Sequence, residues 1–549
     1  MNLDGILSTL PSEIQQLPTI KGLVVLIQSL SEQLAITKEQ LRMTQEQLQA
    51  TQEQLTKAQE KIDFLEKELA RFRKTPKKPK FRPNGMEPRN RTKNNGSSGS
   101  GSSMANSQLF QKETQEVLIK VTDVPDGARF KGYQEFKVQE LSLIAKEIIY
   151  KLEVWQCENG EVLRAKIPEE LGGGHFGPIL KSVATNLYAQ GLTQPALHDF
   201  LRGLGIDIST GQINNILLSE AAGFSSVSEE ILKAGLEAAS YIRTDDTGEK
   251  HQYKGAYCTH IGGKHFAYFK TTFSKSRGNF LKILLQGKEG YHINEAMIWH
   301  LFQIGVEDDI LNLFEEHKGK TYRTPQGMRR LFNKIGLRGK KLYKQCLEAG
   351  LVGFITATIL KPGQVLLSDR AGQFALFDHA GCWIHMERPL RKIVCTNEEI
   401  EEELKQVRER IWTLYRALKE AALTQIGRED VNRQYDALIS IKTLSPEING
   451  VIANFAAYRD EMLKALDHPG LPLHNNDSER DIRGVAKRRN LSGSTKSELG
   501  RKFRDSLLTI KQTCFRLGYS FWDYLQKWFK GASPDLSDLV RAKYYATST

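Results

Sequence analysis

Apolar side chains recur every seventh position near the start of the chain, carried by the repeated phrase TQEQL. The row consists of Leu34, Leu41, Leu48, Leu55, Ile62 and Leu69. A second row, from Thr44 to Phe72, follows three residues behind it. Two such rows are typical of a left-handed coiled coil, and a long solvated helix is the alternative. We therefore predict a helical segment over 1–33 and a coiled coil over 34–73 that makes the protein a homo-oligomer.

The pattern then loses its apolar positions. Residues 71–93 hold ten Lys or Arg against one Glu, and the stretch ends in NNGSSGSGSS. A basic segment that becomes Gly/Ser-rich has no means of packing a core, so we predict a linker over 74–104. Its basic half is suited to non-specific phosphate contacts through Lys77, Lys78 and Lys80, with a solubilising tether as the alternative.

Short apolar runs such as EVLIKV and VLRAKI predict a small β-module over 105–170, and helical periodicity resumes over 171–239. There, an amphipathic helix closed by glycine precedes a second helix that Ser209 or Thr210 caps. Helix, turn and capped helix indicate a helix-turn-helix domain, although helical hairpins in protein cores look similar. The candidates for reading bases are Gln212, Asn214 and Asn215.

Strand-like runs reappear near residue 240: SYIRTDD (240–246), GAYCTHIGG (255–263), HFAYFKTT (265–272), QVLLSD (364–369) and CWIHMER (382–388). We predict an RNase H-like α/β core over 240–395 with a helical insertion at about 276–350, part of which is strongly basic. A second, all-helical insertion spans 396–472, the core ends over 473–530, and 531–549 is a tail. The predicted fold class is multidomain α+β.

Three acidic positions stand out in this region. Asp245 or Asp246 and then Asp369 end strand-like runs, and Glu479 lies where a helix begins. In an RNase H-like nuclease, two strand aspartates and a helix glutamate gather around Mg²⁺, which prefers carboxylate oxygen. Two metals of this kind catalyse in-line displacement at phosphorus, and Mn²⁺ can substitute. Taken singly, the aspartates also suit strand-end turns, and Glu479 suits a capping box with Asn476 as N-cap.

Charge supports a DNA partner. The formal net charge is +12, and residues 480–504 hold nine Lys or Arg against two acids. Arg483 and Lys487 follow Glu479 at helical spacing, which predicts one shared face; a surface salt-bridge ladder is the alternative. The predicted DNA contacts of this segment are Arg480, Arg483, Lys487, Arg488 and Arg489.

The six cysteines are scattered without a CxxC, which indicates a reducing compartment. The N-terminus lacks the layout of a signal peptide, and the apolar run at 22–30 is too short to span a bilayer. No membrane partner is expected. His379, Cys382, His385 and Cys395 are zinc-type ligands, but a strand would scatter them, so zinc is not expected.

The blocks TDDTGEKH, SDRAGQF…CWIHMERPLRK and NNDSERDIR…KRRNLSGS resemble the three DDE blocks of the insertion-sequence sixty-six family of bacterial transposases. HFGPILKSVATNLYAQGL and GYSFWDYL also resemble that family, so the similarity covers most of 145–525. By position, Asp245, Asp369 and Glu479 match the family's three acids, and Asp246 is their neighbour. Asn475, Asn476, Arg480 and Arg483 match the signature around the last acid.

The resemblance implies an RNase H-like core, Mg²⁺-dependent cleavage of terminal inverted repeats and strand transfer to target DNA. It also implies a helical zipper, accessory transposition proteins and a bacterial cytoplasmic, nucleoid-associated location. Many relatives carry a cysteine-rich zinc module, whereas this chain keeps Cys157 but has Gly160 where a second cysteine would stand. The linker also departs from the family in ending as Gly/Ser.

Two other functions stay open from the sequence. One is a DNA-binding regulator with a degenerate nuclease core, which an intact acidic triad disfavours. The other is an RNase H-like nuclease that takes no part in transposition, which the coiled coil and the helical insertion disfavour.

Overall fold

The computed structural model describes residues 11, 18–72, 116–119, 128–129, 133, 136–139, 141–168, 174–395 and 397–546. The predicted combination of α-helices and a β-sheet is confirmed. The predicted linker, with Lys77, Lys78 and Lys80, lies outside the described residues. None of the helices in the described ranges has the length and apolarity that crossing a bilayer requires.

A single helix, α1 (Pro18–Phe72), covers the predicted coiled-coil region and begins within the predicted helical segment. Its 55 residues make it about 80 Å long. The side chains of Leu34, Leu41 and Leu48 are 56%, 58% and 58% exposed. An exposed apolar row on a long helix is what a coiled-coil strand offers to a partner, so oligomerisation stays a prediction.

Of the predicted β-module, the described residues form one antiparallel hairpin, β1 (Val154–Gln156) with β2 (Val162–Arg164). Residues 141–153, where the sequence predicts the start of a strand, are irregular. Their apolar side chains are exposed, as Ile149 at 77% shows. β-Branched residues favour strands mainly through packing on a half-buried surface, and these side chains are exposed instead.

Four helices precede the central sheet. They are α2 (Pro178–Gln190), α3 (Gln194–Gly203), α4 (Thr210–Ser219) and α5 (Ala221–Ala238). Helix α4 begins with a capping box in which Ser209 and Gln212 satisfy each other's backbone N–H groups. A turn through Gly205, whose φ is +85°, joins α3 to α4, so helix, turn and capped helix occur in the predicted order.

The central sheet has five strands in the order β5-β4-β3-β8-β9. They are β3 (Tyr241–His251), β4 (Lys254–Gly262), β5 (Ala267–Thr272), β8 (Val365–Ser368) and β9 (Asp378–Gly381). The pairs β3–β4 and β4–β5 are antiparallel, whereas β3–β8 and β8–β9 are parallel. Strand β8, which is buried throughout, therefore lies between two parallel neighbours.

A helical insertion joins β5 to β8, as predicted. It consists of α6 (Arg277–Leu285), β6 (Tyr291–His292), α7 (Glu295–Gln303), α8 (Asp308–Glu315), β7 (Thr321–Tyr322), α9 (Pro325–Lys334) and α10 (Lys340–Thr358). The middle of this insertion has its own apolar core, which includes Met297, Phe314 and Phe332. Val352 and Ile355, near the end of α10, pack instead in the main core.

The prediction of a strand over 382–388 is wrong. The segment forms the helix α11 (Trp383–Glu387), which a 3₁₀ turn at Arg388–Lys392 follows. The strand of this region is β9, just before it. Trp383, Met386 and Leu390 have helical spacing, and all three are buried in one core. A short run whose apolar residues fit both the strand period and the helix period is ambiguous in sequence. Here the burial of Trp383, Met386 and Leu390 in one core favours the helix.

The second insertion is all-helical, as predicted. It contains α12 (Glu398–Thr424), α13 (Arg428–Ile439), α14 (Pro446–Ala457), α15 (Arg459–Leu463) and a 3₁₀ turn at Lys464–Leu466. The chain ends with α16 (Asn476–Ser492), α17 (Glu498–Leu517), α18 (Phe521–Trp528) and α19 (Leu536–Ala546). The predicted tail thus contains a helix, whose Leu536 and Val540 are fully buried.

Trp383 joins the second insertion to the sheet. Its indole is 1% exposed, contacts the rings of Tyr435 and Phe455, and donates a hydrogen bond to the Met462 carbonyl at 2.9 Å. We expect Trp383→Ala to destabilise the insertion by about 3–5 kcal/mol, because it leaves a large cavity. Hydrogen exchange of the amides in α12 and α14 measures this free energy. Trp299→Ala, at a site 49% exposed, is the matched control and should change it by less than about 0.5 kcal/mol.

Candidate active site

Asp245 and Asp369 lie side by side at the centre of the sheet. Asp245 stands in the middle of β3 rather than at a strand end, since β3 continues to His251. Strands β3 and β8 pair in parallel with Arg243 opposite Leu367. Asp245 is two residues after Arg243 and Asp369 is two after Leu367, so both occupy the same row and the same face. Neighbouring strands are about 4.8 Å apart, which brings these carboxylates together.

The turn after β8 fixes Asp369. Arg370 has a left-handed backbone, with φ of +70°, and its N–H donates to Ser368 Oγ at 2.9 Å. Ser368 Oγ also lies 2.8 Å from His379 Nε2, and His379 Nδ1 lies 2.9 Å from Glu461 Oε2. Glu461 in turn accepts from Arg370 Nε at 2.8 Å. This closed ring of polar contacts holds a strained turn in place beneath Asp369.

Helix α16 carries Glu479, and its start is attached to β3. Arg243 is 1% exposed, forms an ion pair with Asp477 and donates to the Gly263 carbonyl at 2.6 Å. Asn475 Nδ2 donates to the carbonyl of Thr244 at 2.8 Å. Because Asn475, not Asn476, is the N-cap and makes no side-chain cap, the capping-box alternative for Glu479 does not apply.

The far end of α16 is attached to the same strand. Beyond Ser492, Thr495 pairs with His251: Gln252 N–H donates to the Thr495 carbonyl at 2.7 Å, and Thr495 N–H donates to the Lys250 carbonyl at 3.2 Å. Between the two ends, buried Asp481 contacts His260 of β4 at 3.0 Å and pairs with Arg516. Burial opposes its ionisation, but the hydrogen bond of His260 and the charge of Arg516 hold the pKa of Asp481 at about 2.

The acidic residues of the site influence one another's ionisation. Burial, together with the charges of Asp369, Asp246 and Glu479, raises the pKa of Asp245 to about 7, against a hydrogen bond from the Asp246 N–H. Burial also raises the pKa of Asp246, while a 2.6 Å hydrogen bond from Gln373 and the charge of Lys275 oppose the rise. The three carboxylates that the sequence selects therefore belong to one electrostatic neighbourhood.

Two basic side chains that the sequence did not select contact Glu479. Arg388 Nη2 lies 3.0 Å and His385 Nε2 lies 3.4 Å from Glu479 Oε1. Burial and the charge of Arg388 lower the pKa of His385, against the charges of Glu479 and Asp369. The signal for this pair is their spacing of three residues, which places them on one side of the turn only once α11 is known to be helical.

The carboxylate oxygens of the site are ligands of the type that Mg²⁺ prefers, but Glu479 is not gathered with the aspartates. Carboxylate oxygens next to each other in a partly buried pocket are what this hard cation prefers. Within the described parts of the chain, no group of three or more His, Cys, Asp or Glu side chains lies close enough to hold a metal ion. Glu479 is instead occupied by Arg388. Of the zinc-type residues, His379 contacts Glu461, and Cys382 accepts from the Asn475 N–H at 3.3 Å.

The predicted DNA contacts of α16 divide into two groups. Arg483 and Lys487 are exposed and follow Glu479 at the predicted helical spacing. Arg488 is buried, with its guanidinium 3.9 Å from the centre of the Tyr188 ring, so its position does not offer it to DNA. Arg489 donates to the Gly248 carbonyl, and Arg480 pairs with Asp477. Three of the five predicted DNA contacts, Arg480, Arg488 and Arg489, are therefore engaged in packing or pairing within the protein.

The candidates for reading bases lie on the capped helix α4. Gln212 is exposed but accepts the Ser209 N–H in the capping box at 2.8 Å. Asn214 accepts from Gln194 Nε2 at 3.1 Å, and Asn215 is exposed. Of the three, Asn215 is the side chain that these contacts leave available.

Comparison with known proteins gives two findings. A family described as "Transposase IS66 family" matches residues 365–502, a stretch that includes Asp369 and Glu479. A protein of Sinorhizobium fredii (strain NBRC 101917 / NGR234), named "Uncharacterized protein y4jO", is 34% identical over 303 residues. The alignment covers 54% of this chain and 93% of that relative.

The pKa of Asp245 predicts that Asp245→Asn stabilises the metal-free protein at neutral pH. The carboxyl titrates near 3.8 in the unfolded chain and at about 7 in the folded protein. As pH rises through this window, the unfolded state loses its proton first, so the wild type loses stability while the variant does not. At about 1.4 kcal/mol per pKa unit, the advantage of the variant at high pH is on the order of a few kcal/mol.

Thermal unfolding in EDTA at the two ends of this window measures the effect. Asp477→Asn is a control of opposite sign. Burial alone would raise the pKa of Asp477, but Arg243 and Arg480 lower it, so this variant should lose stability above the ordinary pKa of aspartate. An Asp245→Asn protein whose stability relative to wild type is the same at both pH values contradicts the assignment.

Proposed function

The chain belongs to the IS66 family of transposases, and on that premise we propose that it cuts the ends of an insertion sequence and joins them to target DNA. Asp245, Asp369 and Glu479 are the catalytic carboxylates in this proposal. The observation that carries it is the register that puts Asp245 beside Asp369, with the helix of Glu479 attached to the same strand.

The sheet supports an RNase H-like core. Three antiparallel strands, β3 to β5, come first in the chain, and two parallel strands then extend the sheet on the other side of β3. The first aspartate lies on the central strand, the second follows the adjoining parallel strand, and the glutamate lies on a helix across them. The helical insertions enter between the strands, where they leave this order intact.

Repulsion among the carboxylates of the site supports a bound cation beside Asp245. Asp245 titrates at about 7 because it is buried beside Asp369, Asp246 and Glu479. A divalent cation lowers the cost of keeping such carboxylates ionised together. When bound, a pair of Mg²⁺ ions, or Mn²⁺ in their place, activates water or a 3′-hydroxyl and stabilises the leaving oxygen.

Arg388 connects the carboxylates to the DNA in this proposal. Its side chain is 44% exposed, so it is accessible to a phosphate as well as to Glu479. A DNA phosphate that binds the guanidinium would release Glu479, which could then join Asp245 and Asp369 in holding the cation. Arginine binds phosphate and carboxylate in the same geometry, so the guanidinium can exchange one anion for the other, and the cation would supply the counter-charge that Glu479 loses.

The remaining parts of the chain complete the proposal. Helix α1 forms a coiled coil that makes the transposase a homo-oligomer, which can hold two element ends at once. Arg483, Lys487 and Asn215 contact the terminal inverted repeats, and accessory transposition proteins assist. The protein acts in the bacterial cytoplasm on nucleoid DNA.

Asp245→Ala and Glu479→Gln should each reduce Mg²⁺-dependent cleavage of an element end by on the order of a thousandfold or more, because each removes a metal-binding oxygen. DNA binding in EDTA should change little. The measurement is nicking of a labelled end duplex. Asp246→Asn is the matched control: its carboxylate contacts Gln373, so cleavage should stay within about tenfold of wild type. Normal cutting by either of the first two variants refutes the site.

A strand-transfer assay separates the proposal from its two rivals. A transposase joins the 3′ ends of the labelled duplex to a target plasmid, and the product needs both Mg²⁺ and Asp369. A regulator with a degenerate core binds the duplex without nicking it, and a nuclease outside transposition nicks it without joining. Either of the latter results contradicts the proposed function.

A further inference from the structure

The insertion between β5 and β8 carries a strongly basic stretch. Residues 318–344 contain ten Lys or Arg and no Asp or Glu. All ten basic side chains are exposed. They lie between α8 and α9 on both sides of β7, along α9, in the turn after α9, and at the start of α10. They are Lys318, Lys320, Arg323, Arg329, Arg330, Lys334, Arg338, Lys340, Lys341 and Lys344.

Most of these charges have no ion-pair partner among the residues that the structure describes. Lys318 pairs with Glu295 and Glu315, and Lys344 lies 3.9 Å from Glu348. In the described part of the chain, the other eight form no ion pair. We call these eight the basic face: Lys320, Arg323, Arg329, Arg330, Lys334, Arg338, Lys340 and Lys341. Like charges gathered without counter-charges repel one another and raise the affinity for a polyanion.

A rigid base supports the basic face. On the inner side of α9, Met328, Leu331 and Phe332 are buried, whereas Arg329, Arg330 and Lys334 point outward. Phe332 packs edge-to-face against Tyr343 of α10, whose hydroxyl contacts Asn333. The cations therefore have a fixed spacing, and binding a ligand would not require ordering of the backbone.

Helix α10 connects the basic face to the catalytic strand. It starts within the face at Lys340 and ends at Thr358, shortly before β8 and Asp369. Its 19 residues span about 28 Å. Its first half packs in the insertion's own core and its second half in the main core. The face is thus rigidly linked to the site but separated from it by the length of α10.

We propose that the basic face is a second DNA-binding surface, which grips the phosphates of duplex DNA away from the bond that is cut. This inference rests on the proposed function, because it takes DNA as the substrate. Helix α9 is about 15 Å long and so can follow four or five base pairs at about 3.4 Å each. Arginine and lysine side chains make most of their DNA contacts with phosphates, which position the duplex without reading its sequence.

The test uses the full-length protein and a duplex of about 40 base pairs of unrelated sequence, with binding followed by fluorescence anisotropy at several salt concentrations. EDTA is present throughout, so failure of the cleavage reaction cannot affect the result. The variant Arg329→Gln/Arg330→Gln/Lys334→Gln should bind on the order of tenfold or more weakly at low salt. Its slope of log affinity against log salt should be shallower by roughly 2.7, because each phosphate contact contributes about 0.9.

Two control variants make the result decisive. Lys405→Gln/Arg410→Gln/Arg416→Gln removes the same charge from exposed positions of α12 and should bind like wild type. Arg329→Lys/Arg330→Lys/Lys334→Arg keeps the charge of α9 and should retain affinity and slope. An equal loss in the α12 variant, a loss in the charge-conserving variant, or an unchanged α9 variant each overturns the proposal. The proposal is also overturned if the α9 glutamine variant loses affinity for polyglutamate but not for the duplex, because the partner would then be an acidic protein.

Discussion

The buried guanidinium of Arg243 is the interaction on which the site depends. It lies on the central strand, two residues before Asp245, and its partners are Asp477 of α16 and the carbonyl of Gly263. A charge so deeply buried is tolerated only with both partners in place, and loss of one typically costs about 3–5 kcal/mol. The register between strand and helix is therefore strongly specified, and with it the position of Glu479 relative to the aspartates.

The charges at the site form two opposed groups. Asp245, Asp246 and Asp369 crowd the sheet, and burial raises the pKa of Asp245 to about 7. Arg388 and His385 approach from α11 and the turn after it, and both contact Glu479. The protein thus compensates one of its acids by arginine and leaves the others to repel one another. Under the proposed function, this imbalance becomes favourable when a cation binds beside the aspartates and a DNA phosphate binds Arg388.

Much of this arrangement could be predicted from the sequence. Strands β3, β4, β5 and β8 follow from short apolar runs, the face of Arg483 and Lys487 from helical spacing, and the family resemblance is confirmed. The helix α11 could not be predicted, because a five-residue run satisfies both periods and burial of Trp383 decides. Consequently, the contacts of His385 and Arg388 with Glu479 were missed, since they exist only if α11 is a helix beside α16.

The position of Arg488 was predictable in principle. Ile482 and Val485 mark the inner side of α16, and Arg488 follows Val485 by three residues. A run of basic letters conceals this periodicity when it is read as charge alone. The length of β3 is hidden for a similar reason, because its second half is polar and is a strand only through pairing with β4.

The attachment of α16 to β3 at both ends limits how the site can move. Asn475 and Asp477 hold its start, and Thr495 holds the segment after its end. A helix anchored in this way can neither slide along its axis nor swing outward without breaking the side-chain contacts at its start or the backbone pairing after its end. Rearrangement of Glu479 is therefore reduced to rotation about its own side-chain bonds, which is fast compared with the motion of a helix or a domain. Under the proposed function, the slow event in activation is then the arrival of the DNA, not a motion of the fold.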